Sequence, residues 1–175
     1  NTTGTLAASD LSTLGGKTTG TVSTSNGIAV SGTESEVTAA LVTSSTKVSL
    51  GGTTNVTVTD AVTAAQGSAI AQSSNATGIF SGGVEDSLGN LAGSGSATSN
   101  LTNIVGDDPD VAITIDDAAS STLDPNNLKA VGSASTGDVK LTNACTLSGT
   151  AVNMLAALVT SASKILLQSA NTDLI

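Results

Sequence analysis

Hydrophobic positions along this chain come in short bursts, and helical and strand periods alternate. Leu6, Leu11 and Leu14 fall at helical spacing and stop at Gly15-Gly16, and the strand-like stretch Gly20–Ser31 is broken by the turn pair Asn26-Gly27. Thr33 followed by Glu36 has capping-box spacing. It predicts a helix over Glu34–Thr43 with Val37, Ala40 and Leu41 on one face. Lys47–Leu50 and Val56–Thr59 read as strands, the second with period-two alternation. Ala61–Gln72 predicts a weak helix, and Val84-Glu85-Asp86 is expected to open another through SLGNLAG. A loop, Gly106–Asp110, precedes the strand Ala112–Ile115. Leu123–Leu128 starts a helix with Pro125 near a permitted first-turn position, Thr136–Leu147 is strand, and Ala151–Thr160, behind the cap Ser148-Gly149-Thr150, is the strongest helix.

The pattern repeats. Ser31–Leu50 returns at Ser148–Leu167, and sliding the chain by 117 residues pairs residues 1–58 with 118–175 without a gap. Nineteen of these 58 pairs are identical, among them Leu6/Leu123, Leu11/Leu128, Gly15/Gly132 and Asn26/Asn143. Chance in a chain this rich in Ser, Thr, Ala and Gly would supply roughly six. A second echo, VTVTDA at Val56–Ala61 against ITIDDA at Ile113–Ala118, is displaced by 57. Three units follow: residues 1–58, a diverged 59–117, and 118–175. Each reads helix, strand, helix, strand.

Alternating elements favour parallel strands joined by crossovers. The expected fold is α/β, a repeat solenoid of about 58-residue units with a parallel sheet on one wall. Six coils at about 4.8 Å each would make a wall roughly 25–30 Å long. Val56, Val58, Ile113 and Ile115 should point inward, and Thr57 and Thr114 outward. The alternative is a tandem of three small α/β domains, against which each unit holds little bulky apolar material for a core of its own.

Composition supports thin layers. Of 175 residues 53 are Ser or Thr, and Phe80 is the one aromatic residue. Mean hydropathy is nevertheless positive, +0.24, which argues for order. The formal charge of −9, with five Lys and no His, excludes the clustered cations that nucleic-acid binding requires. No run approaches the roughly 18 apolar residues of a membrane span, and no signal peptide is visible. The chain starts at Asn1 and stops inside a predicted strand, the pattern expected of a segment of a longer array. Cys145 stands where the first unit has Ile28, so it is expected to be a small core hydrophobe.

The best candidate for chemistry is the acidic set Asp107, Asp108, Asp110, Asp116 and Asp117, since carboxylate oxygens are what calcium prefers. The set has neither EF-hand spacing nor the nonapeptide of calcium-binding β-rolls. Its other reading is a solvated turn followed by a helix N-terminus favoured by Asp. No cofactor other than calcium is implied. Nucleophilic catalysis lacks a His base, and Lys47 and Lys164 are equivalent repeat positions. Gly15-Gly16-Lys17-Thr18 lacks the first glycine of a phosphate loop. The threonines Thr57, Thr59 and Thr114 would fit a ladder for ice or glycan, or simply strand propensity. The four sequons, at Asn1, Asn55, Asn75 and Asn100, are what this composition supplies.

The units resemble the repeats of giant bacterial cell-surface proteins, notably of marine cyanobacteria. The resemblance is carried by Val56–Asp60 and Ile113–Asp117, Leu11 and Leu128, Thr19–Val22 and Thr136–Val139, and Gly32-Thr33 and Gly149-Thr150. It implies an extracellular or cell-surface location and roles in adhesion, surface layers or cell-surface motility. The function expected is non-enzymatic: a structural segment acting as spacer, or as building block of a surface layer or filament. Its partners would be neighbouring repeats of the same or identical chains, without membrane insertion. The alternative is an adhesive binding module, calcium-dependent or not, for a glycan or another surface.

Overall fold

A computed structural model describes residues 4–46, 48–52, 54–73, 76–160, 165–167 and 173–174. Lys47 and Lys164, and the sequons at Asn1 and Asn75, lie outside the described residues.

The first third runs β1 (Thr5–Ala7), α1 (Ala8–Gly16), β2 (Val22–Ser23), β3 (Ala29–Gly32), α2 (Glu34–Val37), β4 (Val48–Ser49) and β5 (Thr54–Val58). The predicted capping box starts α2: Glu36 N donates to Thr33 Oγ1 at 3.4 Å, and Thr33 N donates to Glu36 Oε2 at 2.9 Å. The helix then widens into a π-helical turn, Thr38–Val42, closed by Thr43 N on Thr38 O. The middle third runs α3 (Ala64–Ala71), β6 (Ala76–Phe80), β7 (Val84–Asp86), α4 (Leu88–Leu91), β8 (Ala92–Gly93), β9 (Ser96–Ala97), α5 (Ser99–Asp107) and β10 (Ile113–Ile115). The last third runs β11 (Thr122–Leu123), α6 (Pro125–Ala134), β12 (Val139–Leu141), β13 (Thr146–Leu147), α7 (Ala151–Leu158), β14 (Ile165–Leu167) and β15 (Asp173–Leu174). Elements of the first third therefore have counterparts 117 residues on: α1 starts at Ala8 and α6 at Pro125, α2 at Glu34 and α7 at Ala151.

The fold is α/β with several small parallel sheets. Their orders are β1-β3-β5-β6, β14-β12-β10-β7, β11-β13-β15 and β2-β4, and β8-β9 is an antiparallel hairpin. Among the described residues the parallel strand partners lie one short circuit of chain apart, from Val56↔Gly78 at the shortest to Val84↔Ile113 at the longest. Val22↔Val48 is one of several intermediate cases.

This differs from the expectation of one sheet on one wall. The turn at Asn26-Gly27 does more than interrupt a strand: β2 before it and β3 after it belong to different sheets. Its counterpart at Asn143 separates β12 from β13 in the same way. Strands here are two to five residues long, and those on either side of these turns pair in different sheets.

A second difference is at Val84-Glu85-Asp86, expected to open a helix. It is a strand, because Val84 has parallel partners on both sides, Val62 and Ile113. The helix behind it is held to Leu88–Leu91 by the hairpin that follows, whose turn residues Ser94 and Gly95 have φ of 52° and 76°. Positive φ at both central positions is what a tight hairpin turn demands.

The core is a single apolar cluster of small aliphatics with Phe80. As the alternation predicts, Val56, Val58, Ile113 and Ile115 are buried while Thr57 and Thr114 are half-buried on the outer face. Cys145 is buried as a core residue, with Sγ 3.9 Å from Ala118 O, and burial followed by the charge of Asp117 pushes its thiol up. Two identical repeat glycines have a packing reason visible at Gly15: a Cβ there would meet the Thr46 carbonyl of the next circuit. Helices pack on their neighbours, α1 on the turn Thr38–Val42, α3 on that turn and on α5, and α6 on α7.

Candidate functional site

The chemistry-bearing residues gather where strands hand over to helices. A helix start leaves backbone N–H groups without intrahelical partners, and at three helix starts here a later aspartate meets that need. Asp60, just past β5, accepts from the N–H of Glu34, the first residue of α2, at 2.5 Å. Asp86, ending β7, accepts from Ala64, the first residue of α3, at 3.0 Å. Asp117, just past β10, accepts from Leu88, the first residue of α4, at 2.6 Å. The parallel register causes this, because a strand's trailing aspartate lies beside the turn into the helix of the preceding circuit. A carboxylate is also the favoured charge at the positive end of a helix. Where α6 begins, Pro125 has no N–H to serve, and the next circuit presents Gly149, whose Cβ would lie 3.1 Å from the proline ring.

Asp86 is the most enclosed carboxylate of the series, 8 % exposed. Its second oxygen accepts from Ser87 N at 2.8 Å and from Asn90 Nδ2 at 2.6 Å. Threonines at the same corners extend the stitching. Thr59 Oγ1 donates to Gly32 O at 3.2 Å, Thr142 Oγ1 to Ile115 O at 3.2 Å, and Thr136 Oγ1 to Pro109 O at 3.1 Å.

Of the five acidic candidates, Asp107 and Asp108 do a different job. They sit at the end of α5 beside β6, the last strand of its sheet. Asp107 Oδ2 accepts from Gly78 N at 2.8 Å and Asp108 Oδ2 from Phe80 N at 2.7 Å. The two carboxylates take the positions a further strand would fill and so close an edge. A shallow groove of about 290 Å³ lies between Ile79, Phe80 and Ser81 on one side and Asp108, Asp110 and Val111 on the other. Burial raises the Asp108 carboxyl above the usual carboxylate range. The Phe80 N–H opposes that rise, and the hydrogen bond and charge of Asp110, then the charge of Asp107, add to it. Asp110 and Asp116 are exposed, and Asp117 serves α4 as above.

The five are therefore divided between two places in the fold. Among the described residues no three His, Cys, Asp or Glu side chains are grouped as a metal site. Thr57 and Thr114 do not share a ladder either. The row through Thr57 is Ala7, Ser31, Thr57 and Ile79, and the row through Thr114 is Glu85, Thr114, Lys140 and Leu166, on another sheet. Sequence reading missed Asp60 and Asp86 as members of the aspartate series. The displacement of 57 that equates VTVTDA with ITIDDA pairs Asp60 with Asp117, so a signal for the first was present; no repeated string marks Asp86.

No protein-family model, no curated protein and no solved structure matches the chain. Among the described residues no helix is long and apolar enough to cross a membrane.

Proposed function

We propose that this chain is a non-enzymatic structural repeat segment, a solenoid whose circuits stack to form a spacer or a building block of an extracellular surface layer or filament. The observation that carries the reading is the aspartate stitching: Asp60, Asp86 and Asp117 each serve the helix start of the preceding circuit. Side chains that elsewhere bind ligands are here engaged in joining one circuit to the next. Nearest-neighbour stacking of this kind extends without limit in one direction, which is what a spacer needs.

Small-angle scattering on the chain and on two copies joined end to end tests it. A solenoid keeps its cross-section and lengthens, whereas two globules joined by a hinge give separate compact bodies and would sink the proposal. The surface location is tested on cells of the source by protease added from outside, which should cleave the protein while the cells remain intact.

A further inference from the structure

The 117-residue correspondence places α7 on the segment Glu34–Val42, with Thr150 matching the cap Thr33 and Met154, Leu155, Leu158 and Val159 matching Val37, Thr38, Leu41 and Val42. In the first third α3 packs over this segment: Val37 is buried, Thr38 half-buried and Val42 36 % exposed. On α7 the corresponding positions are open: Leu155 is 56 % and Val159 70 % exposed. This end is also more apolar than its counterpart, with Val152 and Leu155 where the first third has Ser35 and Thr38, and α7 carries no charge in a chain of net charge −9. The polar half of the contact has its counterpart too. Asp60, two residues past β5, serves the Glu34 amide, and the residue matching Glu34 is Ala151, the first of α7.

Resting on the solenoid reading, we propose that this end of the helix layer is an accepting face for one more circuit of the Thr59–Ala71 type. That circuit's aspartate takes the Ala151 N–H, and its helix lies over Leu155 and Val159 as α3 lies over Thr38–Val42. The occupant is identified by continuity with the α2–α3 interface, since the accepting positions are those of α2 repeated.

The test is the full chain extended by a second copy of residues 59–80 joined directly after Ile175, whose counterpart is Val58, so the addition continues the register. Amide protection across Met154–Val159 should rise about tenfold or more, and Tm should rise with it. Asp60→Ala made only in the added copy should lower that gain, and Leu155→Asp should abolish it. An extension that leaves protection and Tm unchanged overturns the proposal, as does a scrambled extension that gives the same gain. If the unextended chain dimerises and Leu155→Asp prevents it, the face takes a second whole copy and the assignment to one circuit is wrong. Scattering that shows a compact globule, with the extension still protective, would remove the solenoid reading and leave this interface standing.

Discussion

Replacing Asp86 by alanine tests the stitching where it is most enclosed. The carboxylate is 8 % exposed and accepts from Ala64 N, Ser87 N and Asn90 Nδ2. Removing it leaves the buried Ala64 donor unsatisfied, at a cost of about 2 kcal/mol, and two part-buried donors that regain some water, at about 0.5–1 kcal/mol each. Loss of the charge at the start of α3 adds about 0.5 kcal/mol. The expected total is about 3.5–4.5 kcal/mol, a large share of the 5–15 kcal/mol typical of a folded domain. In urea this moves the unfolding midpoint down by about 1.5 M at an unchanged slope. Asp86→Asn keeps one acceptor oxygen but turns an amide NH2 toward a backbone donor, and should cost about half as much. Glu85→Ala, next door on the exposed side of the strand, should change stability by less than about 0.5 kcal/mol. If Asp86→Ala costs under about 1 kcal/mol, or no more than Glu85→Ala, the capping argument is wrong.

The other predictions follow from the same geometry. Asp117→Ala should lower stability by about 1–2 kcal/mol through loss of the Leu88 cap, and Asp116→Ala by less than about 0.5 kcal/mol, both read by urea unfolding. The Asp108 carboxyl is raised in the fold, so the stability it contributes is fully present below the ordinary carboxylate range and is lost as pH rises through its raised value. Asp110→Asn removes part of the cause. It should stabilise the chain at pH 7, and the gain should disappear under acid, as two unfolding curves would reveal. Gly15→Ala drives a Cβ into the Thr46 carbonyl and should cost about 1–3 kcal/mol, whereas Gly16→Ala, with open space around it, should be far milder. With Asp107, Asp108 and Asp117 already engaged on backbone amides, millimolar calcium should move Tm by less than about 1 °C; a larger rise would restore the metal reading.

Much of this protein was legible without coordinates, because the relevant physics is local. The Thr33–Glu36 box, Pro125 at a helix start and the inward aliphatics of β5 and β10 depend on residues within a few positions of one another. A displacement of 117 needs only comparison of the chain with itself. The misreadings came from long-range competition. Val84-Glu85-Asp86 carries the acidic start of a helix, yet partners at Val62 and Ile113 hold it as a strand. Asn26-Gly27 looked like an interruption, but it divides the circuit between two sheets. The acidic candidates were grouped by nearness in sequence, whereas the fold assigns them by register.

Sequence alone determined where α2, α6 and α7 start, which residues of β5 and β10 face inward, and that the first third recurs in the last. Tertiary structure decided what the carboxylates do. An aspartate's partner depends on which amide the neighbouring circuit brings to it, and Asp60, Asp86 and Asp117 find theirs at Glu34, Ala64 and Leu88. No local pattern encodes that distance, because it is the length of one turn of the chain.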